Sequence, residues 1–283
     1  FCHSADFERI ILMLKNFLHK RRSITAQTSI LITLTIAVAL VISALLFYYK
    51  TDKELTTHYR EQMFQESNTT MNVLSDNIDT IDSIYRLLVS SDNIYSFMAS
   101  SSRTPSDYIA AEKQMTSLLI LNNLWEKSYL ESVYVYTNYN KRFYVSKNDN
   151  MIKREENAAV YRNLTEPSPT LTLHALDGSD DLYFVRTIYN LSSGDVLGTM
   201  IVTLNQKSWV NMLTQNISKG WHILMYNNSF ETISDYNYDV TSKDRIEALK
   251  KSLDYYNDKA LHHVKFESKD YLTLSNNLKK IDI

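Results

Sequence analysis

Cysteine, glycine and proline are scarce in this sequence, and each scarcity excludes a class of structure. The 283 residues contain one cysteine, Cys2, which precedes a long hydrophobic segment. The region after that segment therefore has neither a disulfide nor a cysteine-ligated metal cluster to hold it together. Four glycines and three prolines argue against glycine-rich phosphate-binding loops and a long flexible linker. The folded structure of the region after the hydrophobic segment must therefore depend on packing alone.

An excess of positive charge is also missing. The 30 lysines and arginines are balanced by 32 aspartates and glutamates, so that the net charge is −2. Without a basic stripe, these residues are not expected to bind nucleic acid. Hydrophobic residues make up 44% and charged residues 22% of the chain, which is typical of a globular protein large enough for two compact units.

The strongest positive feature is the uncharged segment 23–49. As a helix it would be about 40 Å long, more than the hydrocarbon core of a bilayer requires. A buried helix of a soluble protein would show a polar face, and the hydroxyls of Thr33, Thr35 and Ser43 do not supply one, because they can bond to carbonyls of the same helix. A cleaved signal peptide would have a shorter apolar run. We therefore predict one transmembrane helix and localisation in the cell membrane.

The charges around this segment predict its orientation. Lys15, Lys20, Arg21 and Arg22 precede it. Aromatic residues close it at 47–49, as is usual where a helix leaves the bilayer. The positive-inside rule then places residues 1–22 in the cytoplasm and residues 50–283 outside the membrane.

A helical stripe follows the membrane segment. Apolar residues recur at sevenfold spacing at Phe64, Met71, Ile78 and Tyr85, with Leu74, Ile81 and Leu88 between them. We predict that residues 50–104 form a long helix leaving the membrane. The stripe lasts about three heptads, at the lower limit for a coiled coil. A helix lying along a sheet is the preferred interpretation, and dimer contacts near the membrane are the alternative.

Residues 105–216 carry the patterns of a small α+β module. Thr104, Pro105 and Asp107 mark the start of a helix that runs to about Leu124. Period-two alternation and turn residues predict strands at 130–139, 142–146, 171–176, 182–190 and 196–205, followed by a short helix at 207–215. The sequence Ser192-Ser193-Gly194-Asp195 predicts a hairpin between the last two strands. We assign 105–216 to a membrane-distal, PAS-like module.

The pattern starts again at Gly220. We predict strands at 221–226 and 230–234, a helix after Thr241 or Ser242, and a hairpin from 262–267 and 271–275. Residues 217–283 would then be a membrane-proximal PAS-like module that is truncated before its sheet closes. The predicted fold class is α+β, with an N-terminal transmembrane helix, a long membrane-leaving helix and two antiparallel-sheet modules.

This plan resembles the double Cache (dCache) sensor domains of bacterial membrane receptors. The run from Asp195 to Asn205 is similar to a recurrent strand of that family, in which a turn acid is followed by a glycine within a hydrophobic run. The run from Gly220 to Asn228 is similar to the opening of the family's membrane-proximal module. The nearest likeness within the family is to sensor histidine kinases of the LytS/YesM type and to membrane-bound AraC-type regulators.

The resemblance implies a receptor that binds a small-molecule ligand outside the cell and acts as a homodimer. It also implies a second membrane helix and a cytoplasmic output part, which in a kinase would act on a response regulator. Family members that bind amino acids carry an Arg-x-Trp-Tyr signature, and this chain has Asn123-Leu124-Trp125-Glu126-Lys127 at the corresponding place. An amino-acid ligand is therefore not supported.

Catalytic and metal-binding constellations with a specific spacing are missing from the sequence. His262 and His263 are adjacent and would point to opposite faces of a strand, so they could not chelate one ion. Asp177, Asp180 and Asp181 lack the spacing of an EF-hand calcium loop and suit an ordinary turn. We predict no catalytic residue, no metal site and no cofactor.

Aromatic residues around the first strand are the candidate ligand-binding residues. Tyr134 and Tyr136 share one strand face, Trp125 precedes them, and Tyr144 lies on the neighbouring strand. Such a pocket could stack a small organic or sugar-like ligand. The alternative is that tyrosine simply favours half-buried strand positions.

Arg186 is the fifth candidate, because it interrupts the apolar run 182–188 on the face of Phe184 and Ile188. A buried guanidinium requires an anionic partner. That partner would be either an acidic or polar ligand, or a structural carboxylate of the chain itself.

The function predicted from these observations is extracytoplasmic ligand sensing in a transmembrane signal-transduction receptor. The preferred output is a two-component sensor histidine kinase whose kinase part is absent from this chain. The alternatives are the sensor region of an AraC-type transcription regulator and an anchored extracellular hydrolase.

Overall fold

The computed structural model describes residues 24–138, 141–164, 167–176, 178–215, 217, 223–226, 232–236, 261–266 and 269–274. The chain divides into two compact units, residues 1–62 and 63–283. The first helix, α1, runs from Ile24 to Ser90 and contributes residues to both units.

In the first unit, α1 is long and apolar enough to cross a membrane. Its large apolar side chains are exposed, Leu45 to 64% and Phe47 to 73%, so protein does not cover them. The hydroxyl of Thr33 donates to the carbonyl of Ser29 at 2.9 Å, and that of Thr35 donates to Leu31 at 2.8 Å. The expectation that these hydroxyls bond within the helix is confirmed, and it is what a segment in hydrocarbon requires.

In the second unit, the helix predicted for 50–104 is interrupted, and the prediction of one continuous helix is wrong beyond Ser90. Helix α1 ends there, α2 spans Asp92–Ala99 and α3 spans Pro105–Leu121. Ser91 leaves the helical conformation with φ −83° and ψ 105°. Because serine, aspartate and asparagine bond to nearby backbone in non-helical conformations, the run at 90–93 favours a helix boundary.

The start of α3 agrees with the sequence. The backbone amide of Thr104 donates to Oδ2 of Asp107 at 2.6 Å, which is half of a capping box. This bond lowers the pKa of Asp107 below its ordinary value. The helix ends at Leu121, three residues before the predicted end, where Asn123 adopts a left-handed conformation with φ 54°.

A five-stranded antiparallel sheet forms the centre of the second unit. Its strands are β1 (Leu130–Thr137), β2 (Arg142–Ser146), β3 (Thr172–Ala175), β4 (Asp181–Tyr189) and β5 (Val196–Asn205), in the order β2-β1-β5-β4-β3. All five predicted strands are confirmed within three residues at each end. The predicted hairpin between β4 and β5 is also confirmed, with Gly194 at a φ of 77° that glycine adopts without strain.

Helices α1, α2 and α3 contribute to the core on one side of this sheet. The stripe residues Leu74, Ile78, Ile81 and Leu88 are buried in one apolar cluster with Val133, Val135 and Phe184 of the strands. The interpretation of a helix lying along a sheet is confirmed. Gly198 in β5 permits close strand packing, because a Cβ there would collide with the carbonyl oxygen of Tyr136 in β1.

Two further helices belong to this unit. Helix α4 (Met151–Asn163) was not predicted. Its four consecutive charged residues at 153–156 make the apolar spacing of a helix hard to recognise in the sequence. Helix α5 (Gln206–Thr214) was predicted one residue later, and it buries Trp209 in the apolar cluster that contains α1.

The predicted strands after Gly220 are found as two hairpins. Strand β6 (Ile223–Tyr226) pairs antiparallel with β7 (Thr232–Tyr236), and β8 (Leu261–Phe266) pairs antiparallel with β9 (Lys269–Leu274). The helix predicted after Thr241 or Ser242 lies outside the described residues. The grouping of these hairpins into a second PAS-like module stays a prediction.

Candidate ligand site

The two sides of the five-stranded sheet differ in chemistry. We call the side packed with α1, α2 and α3 the helix face. The opposite side, which we call the tyrosine face, is formed by Tyr134, Tyr136, Tyr183, Val185 and Ile201, with Val160 of α4 in the same buried cluster. Alternation along each strand separates these sets, since neighbouring side chains point to opposite faces.

Four tyrosine rings form a stack on the tyrosine face. The ring centroids of Tyr144 and Tyr134 are 4.9 Å apart, those of Tyr134 and Tyr136 are 6.3 Å apart, and those of Tyr136 and Tyr161 are 4.4 Å apart. The interplanar angles are 9°, 19° and 9°, so the rings are nearly parallel. Three of the stacked residues were candidates from the sequence, and the structure brings them together.

Tyr161 was missed because it lies on α4, the helix that was not predicted. It is half-buried near the end of that helix. The sequence signal that could have found it is the set Asn157, Val160, Tyr161 and Leu164, whose spacing places less polar residues on one face of a charged helix.

A charged group closes the other end of the stack. The guanidinium carbon of Arg154 lies 5.4 Å from the ring centroid of Tyr144, in cation–π geometry. Nη2 of Arg154 donates to the Tyr144 hydroxyl at 2.8 Å, and this hydroxyl donates to Oδ2 of Asp149 at 2.9 Å. Arg154 also pairs with Asp149, and its hydrogen bonds hold the pKa of that carboxyl below its ordinary value. Helix α4 therefore contacts both ends of the stack, through Arg154 and Tyr161.

The hydroxyls of Tyr134 and Tyr136 are unusual polar atoms of this face, because both are buried without a hydrogen-bond partner. Tyr134 is fully buried, and its hydroxyl has no hydrogen-bond partner. Burial raises the pKa of Tyr134 well above its ordinary value. Tyr183, equally buried on β4, differs because its hydroxyl donates to Oε2 of Glu156 at 3.1 Å and lies 2.9 Å from Oγ of Ser179. A buried donor without a partner costs free energy, so Tyr134 marks a place where an acceptor is missing.

The first half of α4 is fixed to the sheet by polar contacts. Lys153 forms an ion pair with Asp181 at the start of β4, and its Nζ lies 3.4 Å from Oε2 of Glu156. The side chain of Asp181 is only 1% exposed, and burial raises its pKa despite the pairing. The hydroxyl of Thr203 in β5 donates to Oδ1 of Asn157 at 2.9 Å in a buried contact. None of these residues was predicted as part of the site.

Arg186 lies on the helix face and not with the tyrosines. It forms an ion pair with Asp82 of α1, and its guanidinium carbon is 3.8 Å from the ring centroid of Tyr85. Asp82 also accepts a hydrogen bond from Arg86 at 2.7 Å. Of the two partners that the sequence left open for Arg186, the structure supplies the carboxylate of the chain itself.

Trp125 is likewise separate from the stack. It packs against the apolar cluster on the helix face, and Nζ of Lys147 lies 5.5 Å from its ring centroid. The structure thus brings together Tyr134, Tyr136 and Tyr144, and it does not bring Trp125 or Arg186 to them. Among the residues that the structure describes, no group of three histidine, cysteine, aspartate or glutamate side chains could hold a metal ion.

Comparison with family models and with curated proteins finds no match. Among solved structures, the chain is similar to the sensory domain of the Campylobacter jejuni chemoreceptor Tlp3, at 15% identity and a TM-score of 0.47, over 72% of this chain and 83% of that chain. It is similar to the sensor domain of the V. cholerae histidine kinase DctB, at 11% identity and a TM-score of 0.46, over 81% and 95% of the two chains. The ligand-binding domain of the Pseudomonas aeruginosa chemoreceptor PctC, in complex with GABA, is similar at 11% identity and a TM-score of 0.41, over 74% and 88%.

The two buried tyrosines give a first test of the site. Replacing Tyr134→Phe removes a hydroxyl without a partner, so we expect the free energy of unfolding at pH 7 to stay the same or to rise by up to about 1 kcal/mol. The matched change Tyr183→Phe removes a hydroxyl bonded to Glu156, and we expect a loss of about 1 to 3 kcal/mol. Urea unfolding measures both variants. A comparable loss in both would mean that Tyr134 has a partner in solution.

The two arginines on Asp82 give a second test. Arg186→Ala leaves the 23%-exposed carboxylate of Asp82 without its cross-element partner and uncovers Tyr85, so we expect a loss of roughly 1 to 3 kcal/mol. Arg86 is 64% exposed and one helical turn from Asp82, and Arg86→Ala should cost no more than about 0.5 kcal/mol. Unfolding by urea compares the two, and equal losses would contradict a structural role for Arg186.

Proposed function

We propose that this chain is the extracytoplasmic ligand-sensing region of a transmembrane signal-transduction receptor. The observation that carries the proposal is helix α1. Its first part is uncharged over 24–49 and apolar enough to span a membrane, and its last part lies in the core of a sheet-containing unit. A receptor needs such an element, because one continuous helix can pass a displacement from a folded sensor to a membrane segment.

We place the ligand on the tyrosine face. Its stacked rings offer flat apolar surface, and the buried Tyr134 hydroxyl offers a hydrogen-bond donor, which together are what a site for a small organic molecule supplies. Trp125 and Arg186, on the other side of the sheet, are not part of this proposed site. The ligand's partners are then Tyr134, Tyr136 and Tyr144 from the strands, and Tyr161 of α4 lies at the end of the same stack.

Signal transfer in this proposal uses the strands that serve both faces. Strand β4 presents Tyr183 to the tyrosine face and Arg186 to α1, where Arg186 contacts Asp82 and Tyr85. A ligand that binds one packing of the tyrosine face more tightly would raise the fraction of molecules with that packing. Because β4 contributes side chains to both faces, its position would change, and the position of α1 would change with it. The ligand must bind the two packings with different affinities, because equal affinities would shift nothing.

The finer parts of the proposal concern output and assembly. We expect a two-component histidine kinase that phosphorylates a response regulator, and a homodimer in the cell membrane. The exposed Leu55 and Tyr59, one turn apart on α1, support a contact with a second copy. The reading frame after Ile283 distinguishes a kinase with a phosphoacceptor histidine from a regulator with paired helix-turn-helix motifs.

Ligand binding is tested with the full chain in detergent micelles, screened by thermal unfolding against small sugars, organic acids and aromatic compounds. A ligand at a hundred times its Kd should stabilise the fold by about 2.7 kcal/mol, which raises the Tm by roughly 5 to 10 °C. Tyr136→Ala should abolish this rise.

The matched control for this screen is Tyr108→Ala. Tyr108 is a half-buried aromatic residue of α3 that packs edge-on against Phe97, away from the tyrosine stack. Its loss should lower the Tm of the free protein and leave the ligand-induced rise intact. Equal loss of the rise in both variants would place the ligand elsewhere. Turnover of an ester, glycoside or peptide substrate would replace the sensor proposal with the hydrolase alternative.

A further inference from the structure

We infer that the ring of Tyr161 occupies the ligand's place in the tyrosine stack, and that the ligand is a small molecule with a planar ring that displaces it. This inference rests on the proposed function and names the ligand class and the moving part of that same site. The natural ligand would then stack on Tyr136 and release the last turn of α4.

The geometry of the Tyr136–Tyr161 contact is that of a planar ligand on its platform. The rings are 4.4 Å apart and 9° from parallel, which makes this the shortest ring contact among the described residues. Aromatic pairs on the helix face are less parallel: Phe184 meets Trp209 at 26°, and Phe97 meets Tyr108 at 88° and Phe143 at 86°. The nearly parallel ring of Tyr161 covers the face of Tyr136, as a planar ligand stacked on that face would.

Tyr161 is the member of the stack that can leave most easily. Tyr134, Tyr136 and Tyr144 are held in the sheet by their strands, and Tyr161 lies in the last turn of α4, two residues before its end. Helix ends lack intrahelical partners for their last carbonyls and open at low cost.

The contacts of α4 divide the helix into a fixed and a releasable part. Its first half is tied by Lys153 to Asp181, by Arg154 to Asp149 and by Asn157 to Thr203. Beyond Asn157, the contacts of the described residues with the tyrosine face are apolar and aromatic, through Val160, Tyr161 and Leu164. A ring that replaces Tyr161 would therefore free the end of α4 and leave the polar ties of its first half in place.

The hydroxyl of Tyr136, the residue whose ring Tyr161 covers, supplies the second feature of the ligand. It is buried in the same stack without a partner, although Tyr183 on the same face has two. The Tyr161 ring fills space and does not satisfy this hydroxyl. A ligand whose ring carries a hydrogen-bond acceptor would satisfy it, and such a ligand would gain what the internal ring cannot offer.

The experiment uses 4-methylphenol, which is the detached side chain of tyrosine, with the full chain in detergent micelles. In Tyr161→Ala the internal competitor is gone, and we expect 4-methylphenol to bind at least about tenfold more tightly than it binds the wild-type chain, because its site is open in all molecules. Adding Tyr136→Ala to this variant should abolish the binding. The matched control Tyr108→Ala, which also deletes a half-buried tyrosine ring, should bind no more tightly than wild type.

A second measurement on the wild-type chain keeps the inference testable if Tyr161→Ala fails to fold. At saturating 4-methylphenol, amide hydrogen exchange should become faster at residues 160–164 and stay unchanged at residues 153–157. Slower or unchanged exchange at 160–164 would overturn the inference. Equal affinity of Tyr161→Ala, Tyr108→Ala and wild type would overturn it too.

The outcomes separate this inference from the proposed function. If screened compounds stabilise the wild-type chain through Tyr136 while deletion of Tyr161 leaves their affinity unchanged, the sensor proposal stands and ring displacement is wrong. If no screened compound stabilises the wild-type chain and 4-methylphenol leaves its exchange unchanged, both are wrong.

Discussion

Burial of both faces of the five-stranded sheet is the constraint on which the rest of this unit depends. A sheet covered on one side can leave alternate residues polar, whereas here Val133, Tyr134, Val135 and Tyr136 are all buried. Each face therefore needs its own cover. Helix α1 with α2 and α3 covers one, and helix α4, which carries charged residues at 153–156, covers the other.

The two covers are held by different chemistry. On the helix face, close packing of aliphatic and aromatic side chains is joined by an ion pair between Arg186 and Asp82. On the tyrosine face, α4 is held by charged and polar contacts at its start and by ring stacking at its end. The close-packed core of the helix face is costly to open and suits a permanent contact, whereas the ring at the end of the tyrosine stack can be exchanged for another. This difference explains why we place the ligand on the tyrosine face and the mechanical connection on the helix face.

The parts of the fold that the sequence predicted are those with a strong local period. Strands β1 to β5 alternate in hydrophobicity, and the stripe from Leu74 to Leu88 repeats at helical spacing, so their existence and packing could be inferred. Helix α4 could not, because its burial is set by partners such as Asp181 and Thr203 rather than by an apolar stripe. The pairing of Arg186 with Asp82, 104 residues apart, has no local signal at all. The strand pattern therefore brought Tyr134, Tyr136 and Tyr144 together, whereas it gave no sign that Trp125 and Arg186 lie on the other face of the sheet.

The central claim is that packing on the tyrosine face is coupled to the contact between β4 and α1. A double-mutant cycle of Tyr136→Leu and Arg186→Met, measured as free energies of unfolding in urea, tests it most directly. Changes at independent sites add within about 0.5 kcal/mol. Our account predicts that the double variant departs from the sum of the single variants by about 1 kcal/mol or more. Additivity would mean that the two faces respond independently and that a ligand on one face is not felt by the helix on the other.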